Sequence, residues 1–89
     1  METKKVQQVA SDPRCRLIWT KHVLERMAER KIEASAIKRV LTTGQVTLEE
    51  TAKKDICWRV EGTNVDGGRI AVVVAVYAGA IKIKVITVF

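Results

Sequence analysis

The chain has 89 residues, of which 47% are hydrophobic and 29% are charged. This length and balance predict one folded domain with a limited core, and exclude a disordered chain. Sixteen Lys and Arg residues against ten Asp and Glu residues give a formal net charge of +6. That charge favours a polyanionic partner, although ordinary solubility charge reaches the same magnitude in small domains.

The two cysteines, Cys15 and Cys57, are isolated from each other and from the single histidine. This spacing indicates neither a disulfide framework nor a metal site, and favours a reducing cytoplasm. The longest apolar run, residues 70–78, is too short to span a bilayer. No glycine-rich phosphate loop precedes a helix. We therefore expect a cytoplasmic protein without membrane segment, metal or cofactor.

The first 14 residues are mostly polar and contain the turn-forming tripeptide Ser11-Asp12-Pro13. They are predicted to form a flexible N-terminal arm, with a single α+β domain over residues 15–89. Within that domain, the apolar run Leu17-Ile18-Trp19 predicts a short N-terminal strand that leads directly into a helix.

The first predicted helix follows Thr20, whose hydroxyl suits an N-cap, and ends near Lys31. Its apolar stripe consists of Val23, Leu24, Met27 and Ala28. A different side of this helix carries His22, Arg26 and Arg30, since residues four apart are neighbours on a helix surface. This side combines the only histidine with two cations and is the strongest candidate for a site.

The second predicted helix begins at a cap on Glu33 and ends before Gly44. Ile32 and Ile37 have the spacing of a hydrophobic staple around that cap. Gly44 occupies the position where helices commonly end in a left-handed residue. The two helices, joined by a tight turn, are predicted to form an α-hairpin.

From Gln45 onward the apolar period changes from helical to two, which predicts four antiparallel strands joined by short loops. In the last strand Ile81, Ile83 and Val85 share one face, which should meet the helices. Lys82 and Lys84 then fall on the opposite face. If Arg59 also points away from the helices, three cations share that face and form a cradle for a phosphate backbone. A solvated face with ordinary charges is the alternative.

The pattern resembles a small bacterial family of unknown function. The hallmark of that family is an aromatic-Thr-x-His-x-x-x-Arg-Met helix, then an Arg-Gly-Ile turn, a second helix and a Val-Ile-Thr-Val-aromatic strand. The matching residues here are Trp19, Thr20, His22, Arg26, Met27, Arg30, Ile32, Ile37, Gly44 and 85–89. Two positions depart from the pattern, because Lys31 replaces the usual glycine and Glu33 the usual Ser or Thr cap.

More distantly, the order of helix pair and strands resembles the RelE, ParE and BrnT toxins of toxin–antitoxin operons. The resemblance implies a RelE-like fold, with the α-hairpin on one face of a four-stranded antiparallel sheet. It also implies metal-independent RNA cleavage and an antitoxin-like protein partner. This likeness is one of topology, so it is an analogy for function.

Metal-free RNA cleavage requires a base for the 2′-hydroxyl and cations for the phosphate. His22 is the candidate base or acid, because histidine is the residue type most often used for acid–base catalysis. Arg26 and Arg59 are the candidate phosphate ligands. The residues predicted to follow the nucleic-acid backbone are Arg30, Arg69, Lys82 and Lys84.

Two further interpretations stay open. In one, the same cations form a non-catalytic binding domain for nucleic acid or an acidic partner protein. In the other, His22 is an ordinary surface residue bonded to Glu25 or Glu29. Trp19 and Tyr77 are either core residues or platforms on which a base stacks.

Overall fold

The computed structural model describes residues 2–52, 55–64 and 67–89, and these form an α+β fold. The helices are α1 (Glu2–Ser11), α2 (Lys21–Arg30) and α3 (Ala34–Thr43). The strands are β1 (Arg16–Trp19), β2 (Gln45–Ala52), β3 (Asp55–Thr63), β4 (Arg69–Tyr77) and β5 (Lys82–Val88). A short 3-10 turn, Ala78–Ala80, joins β4 to β5.

The strands form one sheet in the order β1-β5-β4-β3-β2. The antiparallel meander from β2 to β5 confirms the prediction of four such strands. The predicted sheet was incomplete, however, because β1 joins it as a fifth strand, parallel to β5, with Arg16 opposite Lys82 and Trp19 opposite Val85. Sequence order could not give this pairing, since β1 has no hairpin turn linking it to its neighbour.

The N-terminal segment differs from the predicted flexible arm, because Glu2–Ser11 is a helix that packs on α3. Val6 and Ala10 are buried in the main core, one helical turn apart. The Gln7 side-chain amide donates to the Gly44 carbonyl at 2.9 Å, and the Thr3 hydroxyl accepts from the Val46 amide at 2.9 Å. Helical spacing of these apolar residues thus outweighs the polar composition of the segment.

The three helices cover one face of the sheet and enclose the main core with it. Along β3, Trp58 and Val60 point into this core, whereas Cys57 belongs to a small second cluster with Val73 and Ala75. This alternation confirms the predicted period of two. We call the face that carries Cys57, Val73 and Ala75 the open face, because no described helix packs on it.

A β-bulge in β5 changes which side chains reach the open face. Val73 lies opposite Thr87 while Val74 lies opposite Val85, so Ile86 is the additional residue. Before the bulge Ile83 and Val85 face the helices, and after it Val88 does so. The shift of parity turns the following residue, Phe89, toward the open face.

The ends of the helices are only partly as predicted. Thr20 caps α2, and its hydroxyl accepts from the Val23 amide, as expected. Gly44 is extended rather than left-handed (φ −79°, ψ −177°). A side chain there would place Cβ 2.6 Å from the carbonyl oxygens of Val40 and Glu61, so close packing requires the glycine.

The apolar stripe of α2 is narrower than predicted. Val23 is buried and Met27 packs against the main core. Leu24 is 51% exposed, and Ala28 is also exposed. The helix therefore buries a line of residues four apart rather than a broad stripe, and its main contact with the sheet is to β5.

The αL backbone of Lys31 generates the first prediction. Lys31 ends α2 at φ 55° and ψ 44°, a conformation that costs a residue with Cβ about 1 kcal/mol. We expect Lys31→Gly to raise the free energy of unfolding by about that amount, measured by urea denaturation. Glu25→Gly, at an exposed position in the middle of the same helix, is the control and should lower it by about 1 kcal/mol. A stability of Lys31→Gly at or below that of the unsubstituted protein contradicts the argument.

Candidate nucleic-acid interface

Thr20 fixes the start of α2 against the bulged strand. Its hydroxyl donates to the carbonyl oxygens of Val85 and Ile86, at 3.0 and 3.1 Å, while accepting from the Val23 amide at 3.2 Å. Its backbone amide also donates to the Val85 carbonyl, at 3.4 Å. One side chain thus joins the helix that carries Arg26 to the bulge that turns Phe89 toward the open face.

Arg26 and Arg59 come together beside the ring of Phe89. The Arg59 Cζ atom lies 5.0 Å from the centre of the ring, and the Arg26 Cζ atom lies 6.0 Å from it. Both distances are within the range of cation–π attraction. The structure therefore brings together two of the three predicted catalytic residues, one from α2 and one from β3. We call Arg26, Arg59 and Phe89 the arginine cluster.

The two guanidinium groups of the arginine cluster keep unused donors. Within the described part of the chain, the buried Nε atoms of both Arg26 and Arg59 have no hydrogen-bond partner. Buried donors are nearly always paired in folded proteins, and leaving one unpaired costs free energy. Both side chains are only partly buried, and a guanidinium group has several donors from which one oxyanion can accept.

Glu61 is the acidic neighbour of this cluster. Its Oε2 atom lies 3.7 Å from the Arg59 Nε atom, and its Oε1 atom lies 3.3 Å from the Arg69 Nη2 atom. The Thr47 hydroxyl donates to the same carboxylate at 2.6 Å. This hydrogen bond, supported by the two nearby arginines, lowers the pKa of Glu61 from its ordinary value. An incoming phosphate would therefore compete with an ionised carboxylate for Arg59.

His22 lies one turn before Arg26 on the same side of α2, and it is exposed. Among residues 2–52, 55–64 and 67–89 it has no hydrogen-bond or ion-pair partner, so the interpretation in which it bonds Glu25 or Glu29 lacks a contact there. The imidazole is exposed to solvent, and no described side chain fixes its orientation.

The remaining predicted cations fall into two groups. Arg30 and Arg69 line a depression of about 250 Å³ that Phe89 also borders, directly beside the arginine cluster. Lys84 is five residues before Phe89, which corresponds to roughly 16 Å along a strand. Lys82 lies further away still, with its Nζ atom 5.1 Å from the centre of the Tyr77 ring. The open face thus carries cations at both ends, and those at the β5 start are remote from Arg26.

Sequence reasoning missed Phe89 and Glu61 as members of this site. Glu61 could have been identified from the sequence, because it is two residues from Arg59 and therefore lies on the same face of β3. Phe89 could not be identified in this way. Regular alternation of side chains from Val85 onward would point Phe89 toward the helices, and only the bulge reverses its direction. Trp19 packs against the main core, whereas Tyr77 packs against the apolar group of Cys57, Val73 and Ala75 on the open face.

The described residues contain no group of three or more His, Cys, Asp or Glu side chains arranged to hold a metal ion. No helix in the same ranges has the length and apolar character needed to cross a membrane.

The double role of Thr20 generates the second prediction. Thr20→Val keeps the shape of the side chain but removes the cap and the bond to the bulge, and should lower the free energy of unfolding by about 2 kcal/mol. Thr20→Ser, which retains the hydroxyl, should lose less than half as much. Chemical denaturation of both variants measures the difference. Equal losses in the two variants would show that the methyl group, not the hydroxyl, matters.

Comparison with known proteins identifies the family. The model of the family described as "Domain of unknown function (DUF4258)" matches residues 19–89, which include all of the arginine cluster. No curated protein and no solved structure matches the chain. The match begins at Trp19, just before the capping threonine, and extends through Phe89. Because it covers most of the sequence, the chain belongs to the DUF4258 family.

Proposed function

We propose that this protein is a RelE-like, metal-independent ribonuclease that binds RNA at the arginine cluster. The single observation that carries the proposal is that Arg26 and Arg59 both lie beside the ring of Phe89, with Nε atoms that make no hydrogen bond to a described residue. The order of the α-hairpin and the antiparallel strands, together with the family resemblance, supports the RelE-like assignment.

In the proposed reaction Arg26 and Arg59 hold the non-bridging oxygens of one phosphate and stabilise the charge that develops on them. His22 accepts the proton of the adjacent 2′-hydroxyl. The 2′-oxygen forms a bond to phosphorus, the bond from phosphorus to the 5′-oxygen breaks, and water protonates the leaving oxygen. The products are a 2′,3′-cyclic phosphate and a 5′-hydroxyl end.

A second candidate function is binding without cleavage, to nucleic acid or to an acidic, antitoxin-like protein. One observation favours it, namely that His22 is exposed and no described residue orients it. Catalytic bases are usually held in place by a neighbouring group. In this alternative the arginine cluster and the other cations of the open face still bind the partner.

The effect of His22→Ala distinguishes the two functions. The unsubstituted protein should cleave single-stranded RNA in the presence of EDTA, and His22→Ala should lower the cleavage rate by about 100-fold or more. RNA affinity at a fixed salt concentration should change less than twofold, because the imidazole contributes little to phosphate binding. Gel analysis of end-labelled RNA measures the rate, and fluorescence anisotropy measures the affinity.

Lys21→Ala is the matched control, since it removes a polar side chain from the adjacent exposed position of α2. It should cleave RNA at nearly the unsubstituted rate. Binding without any cleavage by the unsubstituted protein would reject the ribonuclease and leave the binding domain. If neither activity is found, or if Arg26→Ala and Arg59→Ala bind RNA normally, the ribonuclease and the nucleic-acid-binding domain are both wrong.

A further inference from the structure

A basic depression adjoins the arginine cluster. Arg30 and Lys31 from the end of α2, and Arg69 from the start of β4, line it together with Phe89. Phe89 is also the ring beside which Arg26 and Arg59 lie, so the two sites share a wall. The chain thus places two groups of cations on neighbouring parts of one surface.

The composition and size of this depression fit one kind of group. None of its described lining residues is acidic, and three of them are cations. Its volume of about 250 Å³ lies below the roughly 300 Å³ at which pockets for whole small molecules begin. Asn64 adds a side-chain amide to the lining. A compact oxyanion such as a phosphate group suits this space better than a nucleoside does.

Glu61 connects the two sites. Its carboxylate is paired with Arg59 of the cluster through one oxygen and with Arg69 of the depression through the other. A ligand with one phosphate in each site would replace both of these ion pairs at once. A single phosphate would replace only one of them, so the arrangement favours a ligand with two successive phosphates.

We propose that the depression lined by Arg30, Lys31 and Arg69 is a second phosphate subsite, which binds the backbone phosphate next to the one held by Arg26 and Arg59. The inference rests on the proposed function and specifies its substrate as single-stranded RNA bound through two consecutive phosphates. Single-stranded RNA is required because the two sites meet at the protruding ring of Phe89, which is 42% exposed, and a flexible backbone must bend around it.

The test uses a non-cleavable 2′-deoxy dinucleotide, which has one internal phosphate, and the same dinucleotide with an added 5′- or 3′-phosphate. Isothermal titration calorimetry at fixed salt measures the three dissociation constants. We expect the added phosphate to tighten binding about tenfold at one end and to have little effect at the other end, since the subsite lies on one side of the cluster. Arg30→Ala should reduce that gain to less than twofold.

Arg39→Ala is the matched control, because Arg39 does not line the subsite. It lines the neighbouring depression, which contains Glu33 and shares Lys31 and Asn64 with the subsite. The substitution removes the same charge and should preserve the tenfold gain. Glu61→Gln is a second variant, which tests the competition between Glu61 and the ligand through an expected gain of affinity. It leaves Arg59 and Arg69 without an ionised partner, and should tighten binding of the phosphorylated dinucleotide more than that of the unphosphorylated one.

Equal affinities for the three dinucleotides, or an equal loss in Arg39→Ala and Arg30→Ala, would overturn the subsite. Inorganic phosphate that binds as tightly as the phosphorylated dinucleotide would also overturn it, because the depression would then be an independent anion site. The probes cannot be cleaved, so the result does not depend on ribonuclease activity. A protein that cleaves RNA but shows no gain from the added phosphate refutes this inference alone.

Discussion

The hydroxyl of Thr20 is the contact on which the candidate site depends. It caps α2 through the Val23 amide and bonds the strand carbonyls of Val85 and Ile86 at the bulge. The helix positions Arg26, and the bulge determines that Phe89 lies on the open face. A serine or threonine alone has the donor, the acceptor and the short reach that this double role requires.

The arginine cluster is a costly arrangement for stability, and this cost is informative. Two cations lie beside one ring, and the buried Nε atom of each makes no hydrogen bond to a described residue. Attraction to the ring offsets part of the repulsion between the guanidinium groups. The ion pair between Glu61 and Arg59 offsets a further part of this repulsion. Like-charged groups held close to one ring are an arrangement that a bound anion would stabilise further.

Much of the fold was accessible from the sequence because local patterns determine it. The helical spacing around Val23 and Ile37 and the period of two around Trp58 predicted α2, α3 and the meander. The features that could not be predicted depend on contacts between segments that are far apart in the sequence. The parallel contact of β1 with β5 joins Arg16 to Lys82, and no local pattern encodes it. The burial of Val6 in α1 likewise depends on a surface of α3 that only the folded chain presents.

The candidate site, too, was predictable only where local sequence patterns determine it. Helical spacing placed His22 and Arg26 on one side of α2, and strand alternation placed Arg59 away from the helices. The meeting of Arg26 with Arg59 required the bulge at Ile86, which a sequence of β-branched residues does not reveal. For the same reason Phe89, the residue shared by the cluster and the adjoining depression, was not predicted as part of the site.

The central claim is that Arg26 and Arg59 bind one RNA phosphate together. An NMR titration of ¹⁵N-labelled protein with a short single-stranded RNA carrying non-cleavable 2′-deoxy linkages follows the Nε–Hε resonances of both side chains directly. We expect the two resonances to shift together, with the same dissociation constant, because one phosphate binds both guanidinium groups. Shifts confined to Lys82 and Lys84, or different dissociation constants for the two arginines, would contradict it.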